Sequence, residues 1–366
     1  MKIAIDMTWL KPKKSGGVES YIRNLFDGFK KIKNDNTYYL MTAKDNENEF
    51  DDYFKDPRFI QIKCNTKAND VKSHLIWQTL KQYKMLKGYD VDLVFFPVYE
   101  MPLYKSRKYK TVVVIHDIQA YHYPEFFSKF ENMWFKMAWK KCIKNSNIVL
   151  TTTEFNKKDM KENILNKDNI EVINIPITVN KKKLNNGILK KLSLKENEYY
   201  YTVSSLYKHK NLKTLIEMIK KIKDSKIKIP KKLVISGVSA GHKEEFYKLI
   251  EGMEENIILT GFVSNDERDE LIQKCNCFLH PSIFEGFGMT PVEAKMLGAK
   301  VITTKETALP ESTRNKCIYV DDPFNIDEWI EKIKSVQNKD VKPYDYPEYE
   351  PVKIAKKYLD LFEKIK

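Results

Sequence analysis

The sequence contains no apolar run long enough to cross a membrane. A spanning helix needs roughly 20 predominantly apolar residues, whereas the longest candidates, such as residues 111 to 115, have the length of a buried strand. Residues 1 to 6 carry charge too early for a secretory signal peptide and are typical of the first strand of a parallel sheet. We therefore expect a cytoplasmic protein.

Cysteine and histidine are also scarce. The five cysteines have no CxxC spacing, and their odd number argues against a disulfide framework. The six histidines show no HxxxH pattern and no paired carboxylates, so we predict no metal site. A Ser-His-Asp order and a nucleophile elbow are missing as well, which argues against a serine nucleophile.

Positive charge, by contrast, is abundant. The chain has 64 basic and 50 acidic residues and a net charge of +14. This excess predicts attraction to polyanions, and anionic lipid, a nucleotide diphosphate and nucleic acid all fit. The sequence shows no recognisable nucleic-acid motif, so we predict no nucleic-acid partner. Composition does not indicate an oligomeric state.

Short β-branched or aromatic runs alternate with amphipathic helices through nearly the whole chain, which is typical of parallel βα units. For 366 residues this pattern predicts an α/β protein with two doubly wound, Rossmann-like domains. We place the first domain at residues 1–177, a linker at 178–198 and the second domain at 199–349. Helix 350–366 has an apolar face that must dock, and we expect it to cross back to the first domain. We also expect the two domains to face a cleft at the carboxyl ends of their strands.

The segment from Pro281 to Glu293 places two carboxylates, Glu285 and Glu293, around a glycine turn that opens a helix. Gly286 and Gly288 allow the backbone to approach a ligand closely. The first-turn N–H groups of the helix would point toward an anion. These features suit a sugar diphosphate.

The same segment has a second interpretation that needs no ligand. Thr290 is a suitable N-cap, Pro291 suits the first helical position, and Glu293 would then complete a capping box. On these residues alone the two interpretations remain open.

Seven short motifs follow one another along the chain, and together they are far more specific than any one of them. In order and spacing they resemble the family 4 retaining glycosyltransferases of the two-domain GT-B fold, most of all mannosyltransferase-like members. The motifs are Ser15-Gly-Gly-Val-Glu19, His116-Asp117, Thr153-Glu-Phe-Asn156, Tyr207-Lys-His-Lys-Asn-Leu212, Leu259-Thr-Gly-Phe-Val-Ser264, the E-x7-E segment from Glu285 to Glu293, and Ala308-Leu-Pro-Glu311.

The resemblance implies transfer of a hexose or deoxyhexose from a GDP- or UDP-linked sugar to a saccharide or lipid-linked acceptor, in surface polysaccharide or glycolipid synthesis. It implies retention of configuration by front-face attack, without metal or other cofactor. The leaving phosphate would help to take the acceptor proton, so no protein nucleophile is required.

The resemblance also implies roles for individual residues. The catalytic residues would be His116 beside the donor sugar, Lys210 on the diphosphate and Glu285 on the sugar hydroxyls. Glu293 would accept hydrogen bonds from the ribose. The other donor-binding residues would be Gly16, Gly17, Ser205, Gly261, Phe262, Val263, Gly286, Phe287, Gly288, Met289 and Thr290.

Departures from the family pattern concern the diphosphate site. Ser204 stands where the family usually has glycine, and Ser205 or His209 stands where it often has arginine. We therefore expect Lys210 to hold the phosphates with less help. The alternatives kept open are a nucleotide-sugar epimerase or hydrolase on the same scaffold and a non-catalytic, polyanion-binding partner subunit.

Residues 127 to 141 mix aromatic side chains at helical spacing with lysines. Such a stripe is typical of a helix that packs in the core and solvates its other face. The competing hypothesis is an interfacial helix that contacts anionic lipid at the inner face of a membrane.

Overall fold

The computed structural model describes residues 1–12, 16–99, 108–238 and 243–366. The chain divides into two compact units, Met1–Ile177 with Glu348–Lys366, and Thr178–Pro347. Within the described ranges, no helix has both the length and the hydropathy to span a bilayer.

The first unit contains a seven-stranded sheet whose strand pairs are all parallel. Its strands are β1 Lys2–Asp6, β2 Thr37–Thr42, β3 Phe59–Lys63, β4 Leu93–Phe96, β5 Lys110–Val114, β6 Ile148–Thr151 and β7 Ile170–Val172. They lie in the order β3-β2-β1-β4-β5-β6-β7. Its α-helices are α1 Gly16–Lys31, α2 Val71–Ile76, α3 Gln82–Leu86, α4 Gln119–His122, α5 Lys129–Asn145, α6 Glu154–Asn163 and, from the second chain segment, α14 Pro351–Ile365, with a π-helix at Trp77–Lys81.

The second unit contains a six-stranded parallel sheet. Its strands are β8 Tyr200–Val203, β9 Leu233–Ser236, β10 Ile257–Gly261, β11 Cys277–His280, β12 Val301–Thr304 and β13 Ile318–Val320. They lie in the order β10-β9-β8-β11-β12-β13. Its α-helices are α7 Ile188–Lys191, α8 Leu212–Lys223, α9 Lys243–Ile250, α10 Asn265–Lys274, α11 Met289–Met296, α12 Leu309–Ser312 and α13 Ile326–Val336, and a 3-10 turn follows β8 at Lys208–Lys210.

Both faces of the first sheet are covered, which explains its continuous apolar strands. Successive side chains of a strand point to opposite faces. Accordingly, Val94 and Phe96 of β4 join a buried cluster that includes Trp139 of α5, whereas Phe95 contacts Tyr358 and Phe362 of α14. Helices α5 and α14 therefore lie on opposite faces of this sheet.

Helix α14 packs closely on α1. A Cβ added at Gly28 would lie 2.4 Å from the carbonyl oxygen of Pro351 and 2.6 Å from the Cβ of Ala355. The buried hydroxyls of Tyr21 and Tyr358 are 2.7 Å apart and hydrogen-bonded. The C-terminal helix thus completes the first unit.

Residues 178–198, predicted as a linker, belong to the second unit. The backbone N–H groups of Asn180 and Asn186 donate to carboxylates of α10, those of Asp269 at 3.2 Å and Glu270 at 2.5 Å. Ile188 and Leu194 are buried in the same core as α10. The segment is therefore fixed by side chains far along the chain, which its own composition does not reveal.

Candidate active site

Lys210, His280 and Glu285 form a charged cluster in the second unit. Lys210 Nζ donates to Glu285 Oε1 at 2.6 Å, and His280 Nε2 lies 3.0 Å from the same oxygen. Lys210 ends the turn after β8, and His280 ends the adjacent strand β11. Because parallel neighbours end at the same sheet edge, the fold brings these residues together.

Opposing effects determine the protonation of this cluster. Burial alone would raise the pKa of Glu285, but Lys210 and His280 outweigh it and hold the pKa of that carboxyl far below its usual range. Burial and the Lys210 charge lower the pKa of His209 to about 4. At neutral pH the site therefore holds an ionised Glu285 beside a neutral His209.

The loop before Glu285 is fastened to the turn that carries Lys210. The hydroxyl of Ser282 and the N–H of Ile283 both donate to the carbonyl of His209, at 3.1 and 2.8 Å. The N–H of Glu285 donates to Thr307 Oγ1 at 2.9 Å. These contacts fix the backbone on both sides of the cluster.

Helix α11 begins two residues earlier than the capping-box interpretation requires. Its N-cap is Gly288, in the left-handed conformation with φ of 78° and with no side-chain cap. The prediction of Thr290 as N-cap is therefore wrong, and Thr290 instead places its hydroxyl 3.4 Å from His280 Nδ1. A Cβ at residue 288 would lie 2.5 Å from Leu309 Cδ2, so glycine also suits the local packing.

Glu293 has a different environment from Glu285. Its side chain is buried, and its Oε1 lies 3.6 Å from Arg268 Nη1. Arg268 also donates to Asp269 Oδ1, from Nε at 3.0 Å and from Nη2 at 2.8 Å. Burial raises the pKa of Glu293, although the Arg268 charge opposes this. The Arg268 guanidinium therefore forms ion pairs with two buried carboxyl groups, those of Asp269 and Glu293.

Sequence reasoning missed both His280 and Arg268. His280 could have been noticed as a polar residue that ends a buried strand directly before the E-x7-E segment. Arg268 is the one cationic residue among the acids of Asn265-Asp-Glu-Arg-Asp-Glu270. Its contact with Glu293 depends on packing of α10 near α11, for which the sequence gives no local signal.

The other predicted donor-binding residues of the second unit fall into two groups. Gly286, Phe287 and Gly288 are buried. Met289 is half-buried as the first residue of α11, and Ser205 is half-buried in the loop after β8.

The second group, Gly261 to Val263, starts at the last residue of β10, which is an edge strand of the sheet. Gly261 has a φ of 69°, and its carbonyl accepts from Gly237 N at 2.9 Å and from the Thr260 hydroxyl at 3.0 Å. The Phe262 ring is 72% exposed and Val263 is half-buried. This loop has a fixed backbone and an aromatic ring open to solvent.

The predicted residues of the first unit lie at two positions. Gly16 and Gly17 are exposed and open α1, where Gly16 has a φ of 51°. Ser15 of the same motif lies outside the described residues. His116 follows β5, and its Nε2 is 2.9 Å from the carbonyl oxygen of Pro97. Burial lowers the pKa of His116 to about 4, so its ring is neutral at pH 7.

The motif from Thr153 to Asn156 supports His116. Thr153 caps α6 by accepting from the Asn156 N–H. The Asn156 amide nitrogen then donates to the His116 carbonyl at 2.8 Å. Tyr21 of α1 packs edge-on against the imidazole, with ring centroids 5.2 Å apart. The histidine is thus held by two separate elements of its own unit.

In the described ranges, no three or more His, Cys, Asp or Glu side chains are grouped so as to hold an ion.

The sequence matches known protein families and a curated relative. Residues 15–181 match the model for Glycosyltransferase Family 4, and residues 187–350 match the model for Glycosyl transferases group 1. The O-antigen chain mannosyltransferase RfbU of Salmonella typhimurium is 25% identical over 282 residues, covering 75% of this chain and 74% of that protein.

Solved structures show the same architecture. Sucrose-phosphate synthase from Thermosynechococcus elongatus gives a TM-score of 0.74 at 15% identity and covers 100% of this chain and 99% of its own. Anabaena HepE in complex with UDP-glucose gives a TM-score of 0.69 at 15% identity, with 100% of both chains covered.

Two Rossmann-like units with parallel sheets, together with these neighbours, define a GT-B fold, as the sequence predicts. The two family matches together span nearly the whole chain. The chain therefore belongs to the family 4 glycosyltransferases and is mannosyltransferase-like, which confirms the resemblance found in its motifs.

Proposed function

We propose that this protein transfers a hexose from a nucleoside diphosphate sugar to a saccharide or lipid-linked acceptor, with retention and without metal, in surface polysaccharide synthesis. Mannose is the first candidate sugar because RfbU is an O-antigen mannosyltransferase. A nucleotide-sugar donor is supported by the UDP-glucose bound to HepE. The observation that carries the proposal is the contact of Lys210 and His280 with one oxygen of Glu285.

This cluster suits a donor that is anionic at one end and hydroxylated at the other. Lys210 would exchange Glu285 for the diphosphate, and Glu285 would exchange Lys210 for sugar hydroxyls. The N-terminus of α11 has no side-chain cap, which leaves N–H groups for the same phosphates. Lys210 is 23% exposed and can therefore move between these partners.

The proposed reaction breaks the bond between the anomeric carbon and the diphosphate oxygen. The acceptor oxygen bonds to the same face of the sugar, and its proton passes to the leaving phosphate. Lys210 would stabilise the charge that develops on the diphosphate. Neutral His116 would hold a sugar hydroxyl, and Glu293, supported by Arg268, would accept the ribose hydroxyls.

Donor binding tests the proposal directly. Thermal unfolding would be followed with GDP-mannose, UDP-glucose and the free diphosphates as probes. A cognate donor at about 100 times its dissociation constant should add roughly 2.7 kcal/mol to the free energy of unfolding. Lys210→Met should remove this effect, whereas Lys213→Met, at a lysine 69% exposed on the same unit, should retain it.

Product analysis separates transfer from the alternatives on the same scaffold. If the protein is a transferase, the nucleotide-sugar donor should be consumed only when an acceptor is present. Full-rate release of free sugar or of an epimer without acceptor would contradict the proposal. Equal stabilisation of the wild type and Lys210→Met by every probe would contradict the assigned phosphate site.

A further inference from the structure

Strand β12 and the turn that follows it hold the loop that carries Glu285. At the end of β12, the Thr304 hydroxyl donates to the carbonyl of Ser282 at 2.6 Å. Thr307, three residues further on, contacts Glu285 itself. Its hydroxyl accepts from the Glu285 N–H at 2.9 Å and donates to the Glu285 carbonyl at 2.9 Å. Both backbone polar groups of the residue that bears the carboxylate are thus bonded to one side-chain oxygen.

Thr307 makes these contacts from an unusual backbone conformation. Its φ is 51°, in the left-handed region that β-branched residues rarely enter. The residue is the second of a turn that closes where the Leu309 N–H donates to the Glu306 carbonyl at 3.1 Å. Turns with positive φ at this position usually have glycine, asparagine or aspartate there. Threonine therefore strains this backbone, and such strain is found mainly at functional sites.

The same turn also contacts the start of α11. Leu309 packs against Gly288, the N-cap of that helix, so closely that a Cβ on Gly288 would lie 2.5 Å from Leu309 Cδ2. Leu309 and Ala308 are fully buried, whereas Thr307 directly before them is half-buried. The buried motif that begins at Ala308 thus anchors the turn, and the turn contacts both Glu285 and Gly288.

We propose that Thr307 is a positioning residue for sugar transfer, whose hydroxyl holds the Glu285 backbone so that the carboxylate meets the donor sugar in a fixed orientation. This role rests on the proposed function, which assigns Glu285 to the sugar hydroxyls. It accounts for a strained threonine where glycine would suit the turn, because glycine has no hydroxyl to offer. Misplacement of a reacting group by about 1 Å can cost roughly 100-fold in rate, so a fixed backbone at Glu285 matters for turnover.

Three substitutions at residue 307 test this role in transfer by the full chain, with GDP-mannose and UDP-glucose as donors. Thr307→Val keeps the branched shape but removes the hydroxyl, so kcat should fall about tenfold. The donor KM should change less than about threefold, because Lys210 and Glu293 would still hold the diphosphate and the ribose. Thr307→Gly relieves the strain, so it should fold even where Thr307→Val does not, and it should show the same loss. Thr307→Ser keeps the hydroxyl and should stay within about twofold of the wild type.

A double-mutant cycle with Glu285→Gln separates positioning from general destabilisation. If Thr307 acts through Glu285, adding Thr307→Val to Glu285→Gln should lower kcat further by less than about twofold. The matched control is Thr313→Val, which removes a buried hydroxyl that donates to the Leu309 carbonyl at 2.6 Å at the end of α12. This control loses a hydrogen bond of the same kind but should keep kcat within about twofold.

Amide hydrogen exchange of the ligand-free protein gives a measurement that needs no substrate. The Glu285 N–H should exchange at least about tenfold faster in Thr307→Val and Thr307→Gly than in the wild type. Thr307→Ser should restore the protection, and Thr313→Val should leave it unchanged.

The role of Thr307 and the proposed function fail in different ways. Additive losses in the cycle, or unchanged exchange of the Glu285 N–H in Thr307→Val and Thr307→Gly, would overturn the role of Thr307. Wild-type kcat in both variants beside an impaired Glu285→Gln would do the same. Wild-type turnover in Glu285→Gln would instead overturn the proposed function at its site.

Discussion

The two units share one design, a parallel sheet with helices on its faces, yet they hold their predicted site residues differently. In the second unit, Lys210 and His280 both contact Glu285 and form a charged cluster. In the first unit, His116 is held by the Pro97 carbonyl and the Asn156 amide and stays neutral. The second unit therefore presents a charged cluster, and the first unit presents a neutral imidazole.

The largest expected effect concerns catalysis. Glu285→Gln should lower kcat/KM for transfer by roughly 100- to 1,000-fold, in the range found for loss of one preorganised polar group. His116→Asn should cost roughly tenfold, because it removes a neutral group. Steady-state kinetics with the cognate donor measures both variants, and circular dichroism checks their folds. A larger loss in His116→Asn would reverse the comparison between the units.

The next effect concerns stability of the second unit. Arg268→Met leaves Asp269 and Glu293 buried without their cation, so the free energy of unfolding should fall by roughly 3 kcal/mol. Adding Glu293→Gln should recover part of this loss, because one buried charge is removed. Urea unfolding measures the cycle. Strict additivity of the two changes would contradict the coupling.

A smaller effect concerns the first unit. Gly28→Ala should destabilise by about 1–3 kcal/mol, because the new methyl group would overlap Pro351 and Ala355 of α14. Gly88→Ala is a matched control, since its methyl group would meet only the Met85 carbonyl oxygen, at 3.4 Å. Hydrogen exchange should show faster opening of α14 only in Gly28→Ala. Equal unfolding free energies in the two variants would contradict the close packing.

The smallest effect is a dependence of stability on pH that both units share. The pKa values of His116 and His209 are lowered to about 4 in the folded protein, against about 6.5 when unfolded. Between these values the unfolded state binds more protons, so stability falls as pH drops from 6.5 to 4. Each histidine contributes to this loss, and its partial exposure to solvent keeps the contribution below the roughly 3 kcal/mol that the full shift would give. His116→Asn and His209→Asn should each flatten the profile measured by urea unfolding, and an unchanged profile would contradict the assignment.

Much of the fold could be predicted from the sequence because both sheets are parallel and covered. Buried strands such as Thr111 to Val114 are apolar without alternation, and their spacing with helices indicates βα units. The order and spacing of the motifs indicated the family. The proximity of Lys210 and Glu285 then follows from the fold, because both residues lie after neighbouring strands of one sheet.

The remaining features depend on contacts between distant residues. The cap of α11 was mispredicted because Gly288 adopts a left-handed conformation that its sequence allows but does not impose. His280 and Arg268 were missed because their partners, Glu285 and Glu293, are supplied by tertiary packing. Residues 178–198 belong to the second unit because carboxylates of α10, far along the chain, accept their N–H groups.

The docking of α14 on α1 also has a consequence for synthesis on the ribosome. The second unit is continuous in sequence, whereas the first unit needs Glu348–Lys366 after the whole of Thr178–Pro347 has been made. At about 5–20 residues per second, the N-terminal part of the first unit would wait roughly 10–40 s for its last helix. The first unit is begun first but completed last, so its α1 surface around Gly28 is exposed to chaperones during that interval.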